Sequence, residues 1–181
     1  DYFKDKSKAH EHTRALFEFD NGYFLAFILQ RKLGDLTLIQ DKDQFLREKS
    51  LGPDVLSGAF DFNTFQQHIE ESRGSIKSAL TNQKRMAGIG NIYSDEILFQ
   101  SGIHPAKKTK QLKNQDLEHL YVKIGEVLNT AIKSQANPEQ MPDHYLIPNR
   151  NTGGKCPICN TDLKKGKLSG RTSYYCSECQ K

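Results

Sequence analysis

The sequence has no tryptophan, only two methionines, and no apolar run longer than Tyr23 to Leu29. That run is far short of the roughly 20 residues that span a bilayer, so no membrane helix is expected. The opening Asp1-Tyr2-Phe3-Lys4-Asp5-Lys6 lacks Met and the charged-then-apolar pattern of a secretory signal. Cysteine is scarce and lopsided: four residues, in two pairs, all within the last 26 positions. A secreted disulfide scaffold spreads its cysteines differently. These features together predict a soluble intracellular protein of one or two domains.

What is present is 181 residues with 26 Lys and Arg against 22 Asp and Glu. The net +4 conceals an asymmetry. Residues 73–110 hold seven bases and two acids, and residues 150–181 hold the same numbers, so each segment carries +5 and the rest sums to −6. Two basic segments on a mildly acidic body suit an anionic polymer partner.

Along the chain, Arg14 to Phe19 and Tyr23 to Leu29 read as strands joined through Asp20-Asn21-Gly22. Asn-Gly between β-rich runs predicts a hairpin with a type I′ turn. Asp35 to Ile39 reads as a further short strand, and Leu51-Gly52-Pro53-Asp54 as a break. The period then becomes helical. Phe62, Phe65, His68 and Ile69 share a face; Ser75 to Gln83 and Ser94 to Ser101 read as short helices. Asn114 to Ser134 keeps one apolar stripe through Leu117, Leu120, Tyr121, Ile124, Val127, Leu128, Ala131 and Ile132. Residues 137–154 read as a linker.

Cys156-Pro157-Ile158-Cys159 and Cys176-Ser177-Glu178-Cys179 are sixteen residues apart. Two residues between thiols allow each pair to fill two corners of a tetrahedron, so the spacing predicts one structural zinc ion on a β-hairpin. Such a piece has too few apolar residues to fold alone, and metal binding would be most of its folding free energy. Two disulfides, a redox dithiol or iron are alternatives to zinc. Arg171 falls near the hairpin tip, where a guanidinium can fork onto phosphate oxygens; a solvated loop arginine is the plainer reading. Gly88-Ile89-Gly90-Asn91 places two glycines before a helix start, where free N–H groups can meet an anion; as a bare pattern it also fits a structural turn.

The two motifs together carry more. Gln83 to Ala106, including Gly88-Ile89-Gly90-Asn91-Ile92-Tyr93 and Glu96-Ile97-Leu98-Phe99-Gln100-Ser101-Gly102-Ile103-His104-Pro105, closely resembles the formamidopyrimidine-DNA glycosylase / endonuclease VIII family. Leu51-Gly52-Pro53-Asp54, Ile76-Lys77 and the closing Arg171 to Lys181 match as well, so the likeness covers roughly residues 10–181.

The resemblance implies an α+β chain: the remnant of an N-terminal β-sandwich (residues 1–50), a helix-two-turn-helix domain (51–136), a linker (137–154) and a four-Cys zinc-finger hairpin (155–181). It implies the DNA-binding portion of a base-excision repair glycosylase/AP lyase, monomeric, cytoplasmic and nucleoid-associated, which clamps damaged duplex DNA and everts the lesion. Eversion costs a few kcal/mol, offset by phosphate grips and a wedge. Asn91 would hold phosphates from the helical side and Arg171 from the finger. Lys77 and Glu96 match positions near the family's active centre, and Ile92 and Tyr93 lie in the motif. Arg31 and Leu33 occupy the wedge loop, with Leu33 where the family has a stacking aromatic. The ligands of the zinc would be Cys156, Cys159, Cys176 and Cys179.

The family's nucleophile is an N-terminal proline followed by glutamate, and this chain opens Asp1-Tyr2. A terminal amine suits that role because its pKa lies near 8. The internal Pro138-Glu139 has an amide nitrogen and cannot serve. No catalytic residue is therefore expected within these residues, and the chain reads as part of an active glycosylase. The alternatives are a non-catalytic module that binds nucleic acid through its zinc finger, or a zinc ribbon for RNA or a protein.

Overall fold

A computed structural model describes residues 1–30 and 34–181. It divides into two compact units, 1–45 and 46–181.

The first unit is built on β1 (Tyr2–Phe3), β2 (Thr13–Glu18) and β3 (Phe24–Ile28), in the order β1-β3-β2, all antiparallel. The hairpin forms where expected, with Glu18 opposite Phe24. Its turn differs from the expected type I′. Gly22 has φ +77°, whereas Asn21 is not among the residues of positive φ. Phe19 N–H donates to the Tyr23 carbonyl and Gly22 N–H to the Phe19 carbonyl, leaving Asp20, Asn21 and Gly22 as a three-residue loop. Glycine supplies its left-handed closing position. Residues 35–39 form no strand. Alternation alone does not make a strand without a partner edge to receive its backbone groups. The helix α1 (Lys42–Lys49), which the pattern had not predicted, follows instead, and the unit boundary falls within it.

The second unit contains α2 (Phe62–Glu70), α3 (Ile76–Leu80), α4 (Asn91–Gln100), α5 (Asn114–Lys133) and a hairpin of β4 (Lys164–Leu168) with β5 (Arg171–Tyr175). Asp61 and Ser75 cap α2 and α3 by accepting from Thr64 N–H and Ser78 N–H. Helix α5 buries the predicted stripe at Leu117, Leu120, Ile124, Val127, Leu128 and Ala131; Ile132 stays exposed. These side chains join Phe65, Ile69, Ile76, Leu80, Ile97 and Leu98 in one core.

Helix α4 starts three residues earlier than its pattern suggested and is buried continuously from Ser94 to Phe99. It faces two cores, because Phe99 joins Leu146, Cys156 and Cys176 in a second, smaller cluster. A helix covered on both sides should be apolar all round, so Asp95 and Glu96 within it require partners. The expected linker is not loose. It carries 3-10 turns at Pro138–Gln140 and Ile147–Asn149 and buries Met141, Tyr145 and Leu146.

Candidate nucleic-acid interface and metal centre

The metal centre assembles as the spacing predicts. The sulfurs of Cys156, Cys159, Cys176 and Cys179 all lie within 4.8 Å of one another. Cys156–Cys179 and Cys159–Cys176 are 3.7 and 3.4 Å apart. Metal–sulfur bonds of about 2.3 Å in a tetrahedron put sulfurs about 3.8 Å apart, so the donor set fits zinc. Hydrogen bonds from Thr161 draw Cys159 down to about 6. Burial pushes Cys156 and Cys179 up. Thiols packed this closely cannot all ionise without a cation among them.

Each knuckle is a turn: Asn160 N–H donates to the Cys156 carbonyl and Gln180 N–H to the Cys176 carbonyl. Fully buried Gln180 also accepts from Cys176 N–H at 2.9 Å and donates to the Ile103 carbonyl at 2.9 Å. Lys181 N–H donates to the Gly102 carbonyl, and His104 N–H to the Lys181 carbonyl. The finger is thereby sewn onto the turn that ends α4.

The Gly88–Asn91 turn is held by Gln83, whose Oε1 accepts from Gly88 N–H at 3.1 Å and whose Nε2 donates to the Ile89 carbonyl at 2.8 Å. Gly88 needs its φ of +105°, which L side chains rarely adopt. Gly90 caps α4 without a side-chain hydrogen bond, and Asn91 is the first helical residue. Its Nδ2 donates to the Thr172 carbonyl on β5 at 2.9 Å. In return, Arg171 donates from Nη1 to the carbonyl of Thr81 at 3.4 Å, just past α3. Arg171 borders an open cleft of about 410 Å³ between the end of α3 and the hairpin tip, lined also by Lys77, Thr81, Gln83, Lys84 and Ser169. Asn91 does not line it but bonds the strand that carries Arg171.

Two expected contact residues sit deeper than a surface role would require. Lys77 is buried; it pairs with Asp95 and reaches the Thr172 carbonyl at 3.4 Å. Its burial lowers its pKa, against the opposing pull of Asp95. Glu96, expected at the DNA interface, is fully buried. Its carboxylate accepts from Leu146 N–H at 3.1 Å, Ile147 N–H at 2.7 Å and Gln100 Nε2 at 2.8 Å, so it fixes the 3-10 turn of the connecting segment. Burial raises its pKa. Ile92 is 47% exposed, whereas Tyr93 packs half-buried on the helical core. Arg31 and Leu33 lie outside the described residues.

Asp95, Arg150, Gln83 and Gln180 escaped the sequence reading as functional positions. The only signal for Asp95 was a charge inside a stretch otherwise buried on two sides.

A helix-two-turn-helix unit bearing a docked four-cysteine finger defines a class of nucleic-acid-processing protein. Residues 51–142 match the family described as "Formamidopyrimidine-DNA glycosylase H2TH domain". The formamidopyrimidine-DNA glycosylase of Listeria innocua is 32% identical over 184 residues, covering 94% of this chain and 67% of that protein. The enzyme of Streptococcus pneumoniae is 29% identical and is covered to 70%. Among solved structures, Lactococcus lactis Fpg in complex with abasic-site DNA superposes with a TM-score of 0.81 at 30% identity, over 99% of this chain and 70% of that one. The MutM (Fpg) protein of Thermus thermophilus gives 0.78 at 27% identity, over 99% of this chain and 71% of that one. The chain belongs to the formamidopyrimidine-DNA glycosylase family, and it spans about two thirds of the length of these relatives. Among the described residues no helix is long and apolar enough to cross a membrane.

Proposed function

We propose that these residues are the duplex-gripping portion of a base-excision repair glycosylase with AP lyase activity, acting as a monomer on damaged double-stranded DNA in the nucleoid. The observation that carries this reading is the reciprocal bonding of Asn91 and Arg171, each tethered to the other's side through a backbone carbonyl. Asn91 has a second amide hydrogen, and Arg171 has further N–H donors, free to meet phosphate oxygens. Residues 51–136 present one grip and residues 155–181 the other, with 137–154 as the strap between them.

A zinc ion held by the four cysteines is a structural cross-link that keeps the hairpin folded. The chain's own groups do the positioning: Gln83 shapes the turn, Glu96 pins the strap, and Gln180 joins the knuckle to α4. Two grips on the backbone flanking one nucleotide can offset the few kcal/mol that eversion costs. Anisotropy titration of the zinc-loaded protein with duplexes that contain or lack a stable abasic-site analogue tests this. The expected result is tighter binding to the abasic duplex. Equal, salt-insensitive affinity for both would contradict it.

A further inference from the structure

Asp95 has no exposed side-chain surface and sits where four segments meet. Its Oδ1 accepts from Lys77 Nζ on α3 and from Ser173 Oγ on β5, the latter at 2.6 Å. Its Oδ2 accepts from Arg150 Nε on the strap at 2.9 Å and from Tyr174 N–H on β5 at 3.1 Å. A carboxylate offers about four lone-pair sites, so all its acceptor capacity is used. Two of the four donors belong to the very strand that carries Arg171. A third, Lys77, is one turn of helix before Thr81, whose carbonyl receives Arg171. Arg150 also stacks over the Tyr174 ring at 4.9 Å, which seals the far side.

We infer that Asp95 is the positioning residue of the clamp: it sets β5 in register against α3 and α4, so that Arg171 and Asn91, joined through the Thr81 and Thr172 carbonyls, are held as a rigid pair. This rests on the duplex-gripping reading above. Two cations share one buried anion here. Removing the anion leaves Lys77 and Arg150 uncompensated, and an asparagine would turn one acceptor into an NH₂ group facing two donors. The strand then loses its reference point even though the zinc knuckles still hold the hairpin itself together.

Rigidity has a signature that lowered stability lacks. Two grips on a rigid frame act as linked sites, so removal of one alters what the other contributes. Duplex affinity is measured for Asn91→Ala, Arg171→Ala and the double variant, first with Asp95 and then with Asp95→Asn, each at full zinc content. With Asp95 present, the double variant should depart from the product of the single effects by at least about threefold. With Asp95→Asn the effects should become multiplicative, and binding by the otherwise unaltered protein should weaken about tenfold. Ser173→Ala removes one donor and keeps every charge. It should show a partial loss of coupling, and it decides the matter if Asp95→Asn does not fold. Unchanged coupling in whichever of these two variants folds would overturn the inference. If the protein with every residue intact fails to bind duplex, the gripping reading falls first, and this one with it.

Discussion

The side-chain amide of Asn91 donates to the carbonyl of Thr172 at 2.9 Å, across 81 residues of chain. The first residue of the helix after the Gly-Ile-Gly turn is thus joined to the residue next to Arg171. A pair fixed by hydrogen bonds within the fold would lose little conformational entropy on meeting a ligand. What it requires is a set of buried polar groups that hold the pieces in place, and each makes a prediction.

Glu96→Ala should destabilise the second unit by about 1–3 kcal/mol, because it strands the buried amides of Leu146 and Ile147. Urea denaturation measures this. The pH dependence has a definite sign. Burial raises the folded-state value of Glu96 above its ordinary 4.5, so its contribution is full below that value and is lost as pH rises through the raised one. The stability advantage of the parent over Glu96→Gln should therefore shrink from pH 4 upward.

Gly154→Ala should be among the most damaging small substitutions. Its Cβ would lie 1.9 Å from the Asn149 carbonyl oxygen, which is backbone and cannot step aside. Overpacking of this kind costs about 1–3 kcal/mol. Gly153, with open space around it, tests the contrast: its cost comes only from a φ of +83°. Thermal melts should rank Gly154→Ala as the lower.

Removal of zinc should loosen residues 155–181 while α2 to α5 stay folded, since the buried core of the finger is small: Phe99, Leu146, Cys156 and Cys176, with Leu163 and Cys179 packed against them. Hydrogen exchange on chelation should show protection lost at β4 and β5 and kept at α5. Duplex affinity should fall with it, because Arg171 is on β5.

Much of this was legible in sequence, and the reasons differ by element. Paired Cys-x2-Cys spacing is a local code for a tetrahedral site, and the four sulfurs do converge. The apolar stripe of α5 is periodic over twenty residues, so it needs no outside information. The strand expected at 35–39 failed because a strand depends on an edge that the pattern does not reveal. Asp95 is not singled out in the sequence, and Glu96 is named from resemblance alone. Apart from Gln100, four positions on from Glu96, their partners lie 18 to 79 positions away, which no local period encodes. The proposed grip residues Asn91 and Arg171 could be named from resemblance, but the carbonyls they rest on could not.

The most direct test of the central claim is the salt dependence of duplex binding for the zinc-loaded protein, Asn91→Ala and Arg171→Ala. Each phosphate neutralised by a cation contributes about 0.9 to the slope of log affinity against log salt. The account predicts that Arg171→Ala weakens binding and flattens this slope by about one such unit. Asn91→Ala, which removes a neutral donor, should weaken binding and leave the slope as it was. If both variants bind as tightly as the parent with an unchanged slope, the Asn91–Arg171 pair is not where the backbone is held.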